Sequence, residues 1–367
     1  MRIFECGRCG ATAFFDNVSC VACGAALGFV PAESQMVAFD DAPDGDAWPR
    51  AVDPSQALRP CANRLSHNAC NWMLDQDDAA ALCRCCRLSL VIPDLGQAGH
   101  RERWLAVEAA KRRLVYGAGQ LGLRLSPKTG EQDTQGLAFR ILAPEGASAP
   151  VQTGHAQGLI TLNLDEADDV QREATRAAFN EPWRTLLGHL RHELGHYLFH
   201  RWIAPAPALL KAWRQAFGDE RTDYAAALSA YHEGGPPADW ARCHVSAYAS
   251  AHPHEDWAET AAHVLLIADG LETATSWGLR LRSQAAEAAP LWSPDQLEHF
   301  DSLVIAQWLP VAQFLNAMDR SLGLRDGYPF LLPPAVVDKL AAAAQLLHAA
   351  AAASVAPMPA AAAAAPA

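Results

Sequence analysis

The sequence predicts an α+β protein in which two small metal-stapled lobes precede a mainly helical domain with a small sheet. Three observations predict it. Nine of the ten cysteines fall before residue 90, several as CxxC pairs, and they suit metal ligation better than disulfides. Helical apolar periodicity is scarce before residue 95 and dominant after it, with two strand-like runs. An HExxH motif, His192-Glu193-Leu194-Gly195-His196, stands inside one of the helical stretches. The expected organisation is residues 1–95, then 96–353, then a disordered Ala/Pro tail over 354–367.

Cys6-Gly7-Arg8-Cys9 and Cys20-Val21-Ala22-Cys23 form CxxC-x10-CxxC. Four thiolates on two tight knuckles close a tetrahedral Zn²⁺ site, and metal binding stabilises a segment too small to fold alone. Gly10 and Gly24 follow the knuckles and permit the tight backbone they need. A site with four protein ligands is structural rather than catalytic. Cys61, Cys70, Cys83 and Cys86 are the expected ligands of a second zinc, with Cys85 and His67 as rival ligands. Ala42–Asp46 reads as a turn between the two lobes. Within residues 1–35 only Arg2 and Arg8 are basic, against Glu5, Asp16 and Glu33, so a surface that tracks phosphates is not expected. A module that contacts a protein partner or presents substrate is the expectation instead.

Further along, Trp104–Tyr116 reads as a helix, and Gly136–Leu142 and Gly158–Leu164 read as strands. Gly158–Leu164, with His155, is a candidate edge strand beside the cleft. The acidic run Asp165, Glu166, Asp168 and Asp169 after it is either a solvated turn or a preference for basic substrates. The motif helix is expected over Pro182–Ile203, with Pro182 in its first turn. Further helices are expected over His254–Ala268, most of Asp295–Met318, and Pro334–Ala351. The last carries Val337, Leu340, Ala344 and Leu347 on one stripe and so docks on the core. Cys243 reads as an ordinary core thiol.

With 367 residues, 50% hydrophobic and 19% charged, the chain can bury a sizeable core. No run of 18 apolar residues occurs and the start has no signal-peptide pattern, so no membrane partner is expected and a reducing cytoplasm is the expected compartment. A formal net charge of −12 argues against nucleic acid and anionic lipid.

On a helix, residues four apart share a face, so His192 and His196 can turn two imidazoles toward one ion while Glu193 stands beside them. In that pattern the Glu is the general base for a water the metal activates. A catalytic zinc needs a third protein ligand. Glu255 and Glu259 lie four apart on the next strong helix: one carboxylate can bind the metal while the other receives the N–H of a ligating His. His189 and His200 extend the motif face, His252 and His254 flank Glu255, and each is a rival ligand. Asp256 points elsewhere on its helix.

The HELGH sequence followed by Glu255-Asp256-Trp257-Ala258-Glu259 resembles the gluzincin metallopeptidases, in particular the lethal-factor group. That resemblance implies a zincin-like fold, His192, His196 and Glu255 as ligands, Glu193 as base, Tyr248 as oxyanion donor and Glu259 as partner of a ligating His. Four passages extend the likeness over nearly the whole chain: the cysteines ending at Cys86, Arg184–Glu193, His252–Glu259, and Asn316–Phe330. They resemble a bacterial family in which a zinc-ribbon domain is fused to a zinc-binding metallopeptidase whose activity is inferred from its motif. The implied function is zinc-dependent hydrolysis of a peptide or other amide bond, with one catalytic and one or two structural zincs and a peptide or protein substrate. The competing function is a catalytically silent, zinc-stabilised scaffold that uses the ribbon for protein contacts.

Overall fold

In the computed structural model, which describes residues 2–40, 47–144, 151–178, 184–282, 287–288 and 292–355, the chain is α+β with small sheets and a helical C-terminal part. The first lobe is built on antiparallel pairs, Phe4–Glu5 with Thr12–Ala13 and Ala26–Val30 with Gln35–Phe39. Trp48–Pro49, Ala57–Pro60 and Met73–Leu74 form a three-stranded sheet beside them. Phe29 packs against Phe15 and Trp72, with centroids 5.0 and 5.2 Å away. The expected turn at Ala42–Asp46 lies outside the described residues.

The helix expected over Trp104–Tyr116 runs from His100 to Gln120. Trp104, Val107 and Leu114 are buried on its inner side. Tyr116 stands 4.9 Å from Phe15 and 5.7 Å from Phe29, so the Cys-rich region and the helical region share one continuous apolar core.

A four-stranded sheet has the order Gly154–Ala156, Leu159–Asn163, Ala138–Leu142, Ser89–Val91; the first pair is antiparallel and the rest parallel. The stretch before residue 95 therefore supplies a strand to the sheet of the stretch that follows. The segment Gly158–Leu164, expected at the edge, is an inner strand over Leu159–Asn163. Gln157 and Gly158, at φ of 49° and 78°, reverse the chain in a two-residue hairpin that places Gly154–Ala156 at the edge instead.

The motif helix spans Leu186–Leu198, starting where Thr185 Oγ1 accepts from the Gly188 N–H at 2.9 Å. Pro182 lies outside the described residues. From Phe199 to Ile203 the helix widens into a π turn, and His200 within it still lines the cavity with His189, His192 and His196. Its partner helix spans Pro253–Ser276, capped by His252, whose Nδ1 accepts from the His254 N–H at 3.0 Å. The two helices cross closely at Gly195, where a Cβ would stand 3.0 Å from the Ala258 Cα. Trp257, fully buried, donates its indole N–H to the Gly195 carbonyl at 2.8 Å. Farther along, Arg191 pairs with Asp269.

The stretch expected as largely helical over Asp295–Met318 is broken. A 3₁₀ segment Pro294–His299 leads to short helical and π turns over Phe300–Leu303 and Val304–Trp308, then the helix Leu309–Ser321. Pro310 has no N–H to donate to a carbonyl four residues back, which accounts for the wide turn before it. The last helix, Pro334–Val355, docks with Val337, Leu340, Ala344 and Leu347 buried. It is the one described helix long and apolar enough to cross a bilayer (mean hydropathy 1.2), and half of that window is buried against the protein. The stretch expected as a tail from Ser354 begins inside this helix, and residues 356–367 lie outside the described ones.

Candidate active site and metal centres

Three donor clusters converge among the described residues: Cys6, Cys9, Cys20 and Cys23; Cys61, Cys70, Cys83 and Cys86; and His192, His196 and Glu255. Within each, ligand atoms lie within 4.8 Å of one another. Zinc–sulfur bonds of about 2.3 Å in a tetrahedron put sulfurs about 3.8 Å apart. Here Cys6–Cys23, Cys9–Cys20 and Cys70–Cys83 Sγ pairs stand at 3.8, 3.6 and 3.7 Å. The donor sets fit structural zinc in both lobes. All ten cysteines are free thiols, with no disulfide among them. Cys85 is buried beside the second cluster without belonging to it, and His67 packs edge-on against Trp104.

The third cluster lies in a cavity of about 610 Å³ between the motif and partner helices. His192 Nε2 is 3.1 Å from His196 Nε2 and 3.1 Å from Glu255 Oε2. Such separations are close to those between donors bound at about 2.1 Å to one ion. His192 Nδ1 is 2.7 Å from Glu259 Oε1, and Glu259 also accepts from Ser246 Oγ at 2.7 Å, so Nε2 is the nitrogen left for a metal. Glu255 Oε2 is buried and accepts no hydrogen bond, as expected of an oxygen shaped for a cation.

Glu193, on the same helix, turns its carboxylate into this cavity. Oε1 is 3.5 Å from His189 Nε2, and Oε2 is buried without a partner. Burial opposes its charge, but the contact with His189 and the neighbouring imidazoles hold its pKa below the usual carboxylate range. His189 is held in turn by Glu166, with Nδ1 3.4 Å from Oε2, and Arg184 pairs with the same Glu166 at 3.0 Å. Burial pulls the His189 pKa down, and the two carboxylates more than offset this, raising it to about 9. Glu166 thus belongs to the site. Its acidic neighbours are likewise paired, Asp165 and Asp168 with Arg103 and Asp169 with Arg172.

Tyr248 lies on the cavity wall with its ring 6.0 Å from that of His192. Burial, then the charge of Glu255, pushes its hydroxyl pKa well above the ordinary value, so it stays protonated and able to donate. Among the rival ligands, His200 stacks on His155 at 5.5 Å, His252 caps its helix, and His254 packs against Phe199 at 4.7 Å. Asp256 pairs with Lys339 on the last helix, and Cys243 is half-buried beside His244.

Several cavity residues were given no site role by the sequence. Tyr224 donates its hydroxyl to Glu255 Oε1 at 2.7 Å. His263 Nδ1 pairs with the Tyr328 hydroxyl at 2.9 Å, beneath Phe330 on the cavity wall, and burial lowers its pKa to about 4. Ser246 lies two residues before Tyr248, His263 four after Glu259, and Tyr328 and Phe330 fall in the passage Asn316–Phe330 that carries part of the resemblance.

Comparison with known proteins places this arrangement. Residues 100–346 match a family described as "putative zinc-binding metallo-peptidase", and residues 3–97 match a zinc-ribbon domain. Proteins of Mycobacterium bovis and of two strains of Mycobacterium tuberculosis, each described as uncharacterized, are 41% identical over 341 residues, covering 93% of this chain and 93% of each relative. No solved structure matches the chain. The chain belongs to the zinc-binding metallo-peptidase family and carries the zinc-ribbon domain at its N-terminal end.

Proposed function

We propose that this family member is a zinc-dependent peptidase of the gluzincin kind, hydrolysing a peptide or other amide bond between the motif and partner helices. The convergence of His192, His196 and Glu255 beside the unpartnered Glu193 Oε2 carries the reading. His192 Nε2, His196 Nε2 and Glu255 Oε2 would hold the ion. A zinc held there would supply Lewis acidity for the scissile carbonyl and for the attacking water. Glu193 Oε2 accepts the attacking water's proton and passes it to the leaving amine nitrogen as the C–O bond forms and the C–N bond breaks. Tyr248 donates its O–H to the carbonyl oxygen as negative charge develops there. Gly154 and His155 of the edge strand line the same cavity, and a strand edge can pair with an extended peptide. The ribbon is read as a protein-contact module, and a reducing compartment such as the cytoplasm suits the zinc thiolates.

Replacing Glu193 by Gln tests this. The variant is expected to retain the third zinc while kcat on amide substrates falls 10²–10⁴-fold, roughly the range for a positioned acid–base group. Cleavage at the parent rate would overturn Glu193 as base. A wild-type chain that holds three zincs and cleaves nothing across a broad amide library would favour the scaffold function.

A further inference from the structure

We propose that Tyr224 is a positioning residue for Glu255, and that the helix Tyr224–Gly234 is a lid latched over the cavity by their hydrogen bond. The inference rests on the ligand set proposed above. Glu255 has two oxygens in different situations. Oε2 lies 3.1 Å from His192 Nε2 and accepts no hydrogen bond. Oε1 accepts from the Tyr224 hydroxyl at 2.7 Å. Tyr224 thus occupies Oε1, the oxygen 3.6 Å from His196 Nε2, and leaves Oε2, beside His192 Nε2, as the oxygen open to the cation. A carboxylate held in its ligating rotamer loses less freedom when metal binds, which is how such outer contacts raise affinity.

The element that carries Tyr224 is unusual for this molecule. Its helix runs from Tyr224 to Gly234 and buries none of its residues, although Tyr224, Tyr231 and His232 line the cavity. The ring of Tyr231 stands 5.8 Å from that of Tyr248, and the ring of Tyr224 5.1 Å from that of His252. With Ala227 and Leu228 only half-buried, the helix is docked by contacts that include these rings, the Tyr224 hydroxyl and, just before it, the Thr222 carbonyl 3.0 Å from His252 Nε2. Gly218 and Gly235, at φ of 106° and 73°, bound the segment and can take up its rotation. The hydrogen bond joins this weakly docked cover to a metal ligand. If the docked helix raises zinc affinity, zinc must favour the docked helix by the same factor.

The full-length protein can be tested from both ends of the bond. Wild type, Tyr224→Phe and Ser229→Ala are equilibrated with zinc and a chromophoric chelator, and the affinity of the third zinc is read. Tyr224→Phe is expected to weaken that zinc by about 10–100-fold, the usual cost of losing an outer partner of a metal ligand. Ser229→Ala, an exposed change on the same helix, is expected to leave it unaltered. Amide exchange over residues 224–234 is expected to slow on zinc addition in wild type and to lose that dependence in Tyr224→Phe. A Tyr224→Phe chain with wild-type zinc affinity, or wild-type exchange indifferent to zinc, overturns the latch while leaving the peptidase reading standing. A wild-type chain with no third zinc overturns both.

Discussion

At the scale of single residues, the site divides into groups that touch the reacting atoms and groups that hold them. Tyr248 belongs to the first group in the proposed mechanism. Its ring is fixed against His192 and Tyr231, and its hydroxyl is kept protonated by burial and by Glu255. Tyr248→Phe keeps the ring and removes the donor. Loss of one oxyanion donor lowers kcat by about 10²–10³-fold. The expected result is therefore that fall in kcat with KM and zinc content near those of wild type; a kcat within a few-fold of wild type would remove Tyr248 from the mechanism. His192 and His196 were legible in the sequence because residues four apart share a helix face, and Glu193 was legible from the motif those two histidines bound. Glu255 and Glu259 were legible as a pair, but geometry separates their roles: Glu259 reaches the Nδ1 side of His192 and Glu255 the Nε2 side. Tyr224 was not legible. It stands 31 positions from Glu255 on a different helix, and no local spacing reports a contact made by tertiary packing.

At the scale of elements, one glycine sets the distance between the two helices that carry the ligands. A Cβ on Gly195 would meet the Ala258 Cα at 3.0 Å and its carbonyl oxygen at 3.3 Å, both backbone atoms that cannot swing aside. Gly195→Ala must therefore push the partner helix outward or bend the motif helix, at an overpacking cost of about 1–3 kcal/mol. It also shifts Glu255 relative to His192 and His196 and strains the Trp257 indole bond to the Gly195 carbonyl. The expected result is a folded but less stable chain that binds the third zinc weakly and retains the cysteine-bound zincs. Wild-type thermal stability and metal content in this variant would show that the crossing is not tight. The long helices were legible from their periodicity to about a turn at most ends, but the partner helix runs eight residues past the expected Ala268 and the stretch Asp295–Met318 is broken. Two features were not: the π turns after Leu198 and before Leu309, because residue pattern does not distinguish a wide turn from an α turn, and the edge strand Gly154–Ala156, three residues with no apolar run.

At the scale of the whole molecule, the two cysteine clusters are placed differently, and the difference predicts different consequences. The first lies at the surface, with Cys9 exposed and Cys23 half-buried. The second is sealed, with Cys61, Cys70, Cys83 and Cys86 at most 1% exposed. Its surroundings come from both regions of the chain. Cys86 Sγ stands 4.0 Å from Glu108 of the helix His100–Gln120, Glu108 pairs with the fully buried Lys111, and Arg112 of that helix donates to the Ala69 carbonyl beside Cys70. The strand Ser89–Val91, just past Cys86, then joins the sheet that ends at the cavity. Zinc in this cluster therefore ties the Cys-rich lobes, the long helix and the sheet together, whereas zinc in the first cluster staples only its own knuckles. Cys9→Ser should cost one zinc and move the melting midpoint of the helical signal by only a few degrees. Cys70→Ser leaves three buried thiol ligands around an incomplete site and should lower that midpoint far more or prevent folding, since a structural zinc contributes on the order of 10 kcal/mol to the segment that binds it. Melting followed by far-ultraviolet circular dichroism, with zinc counted in each variant, separates the cases. Equal midpoints for the two variants would show that the sealed cluster is not the joint between the two regions.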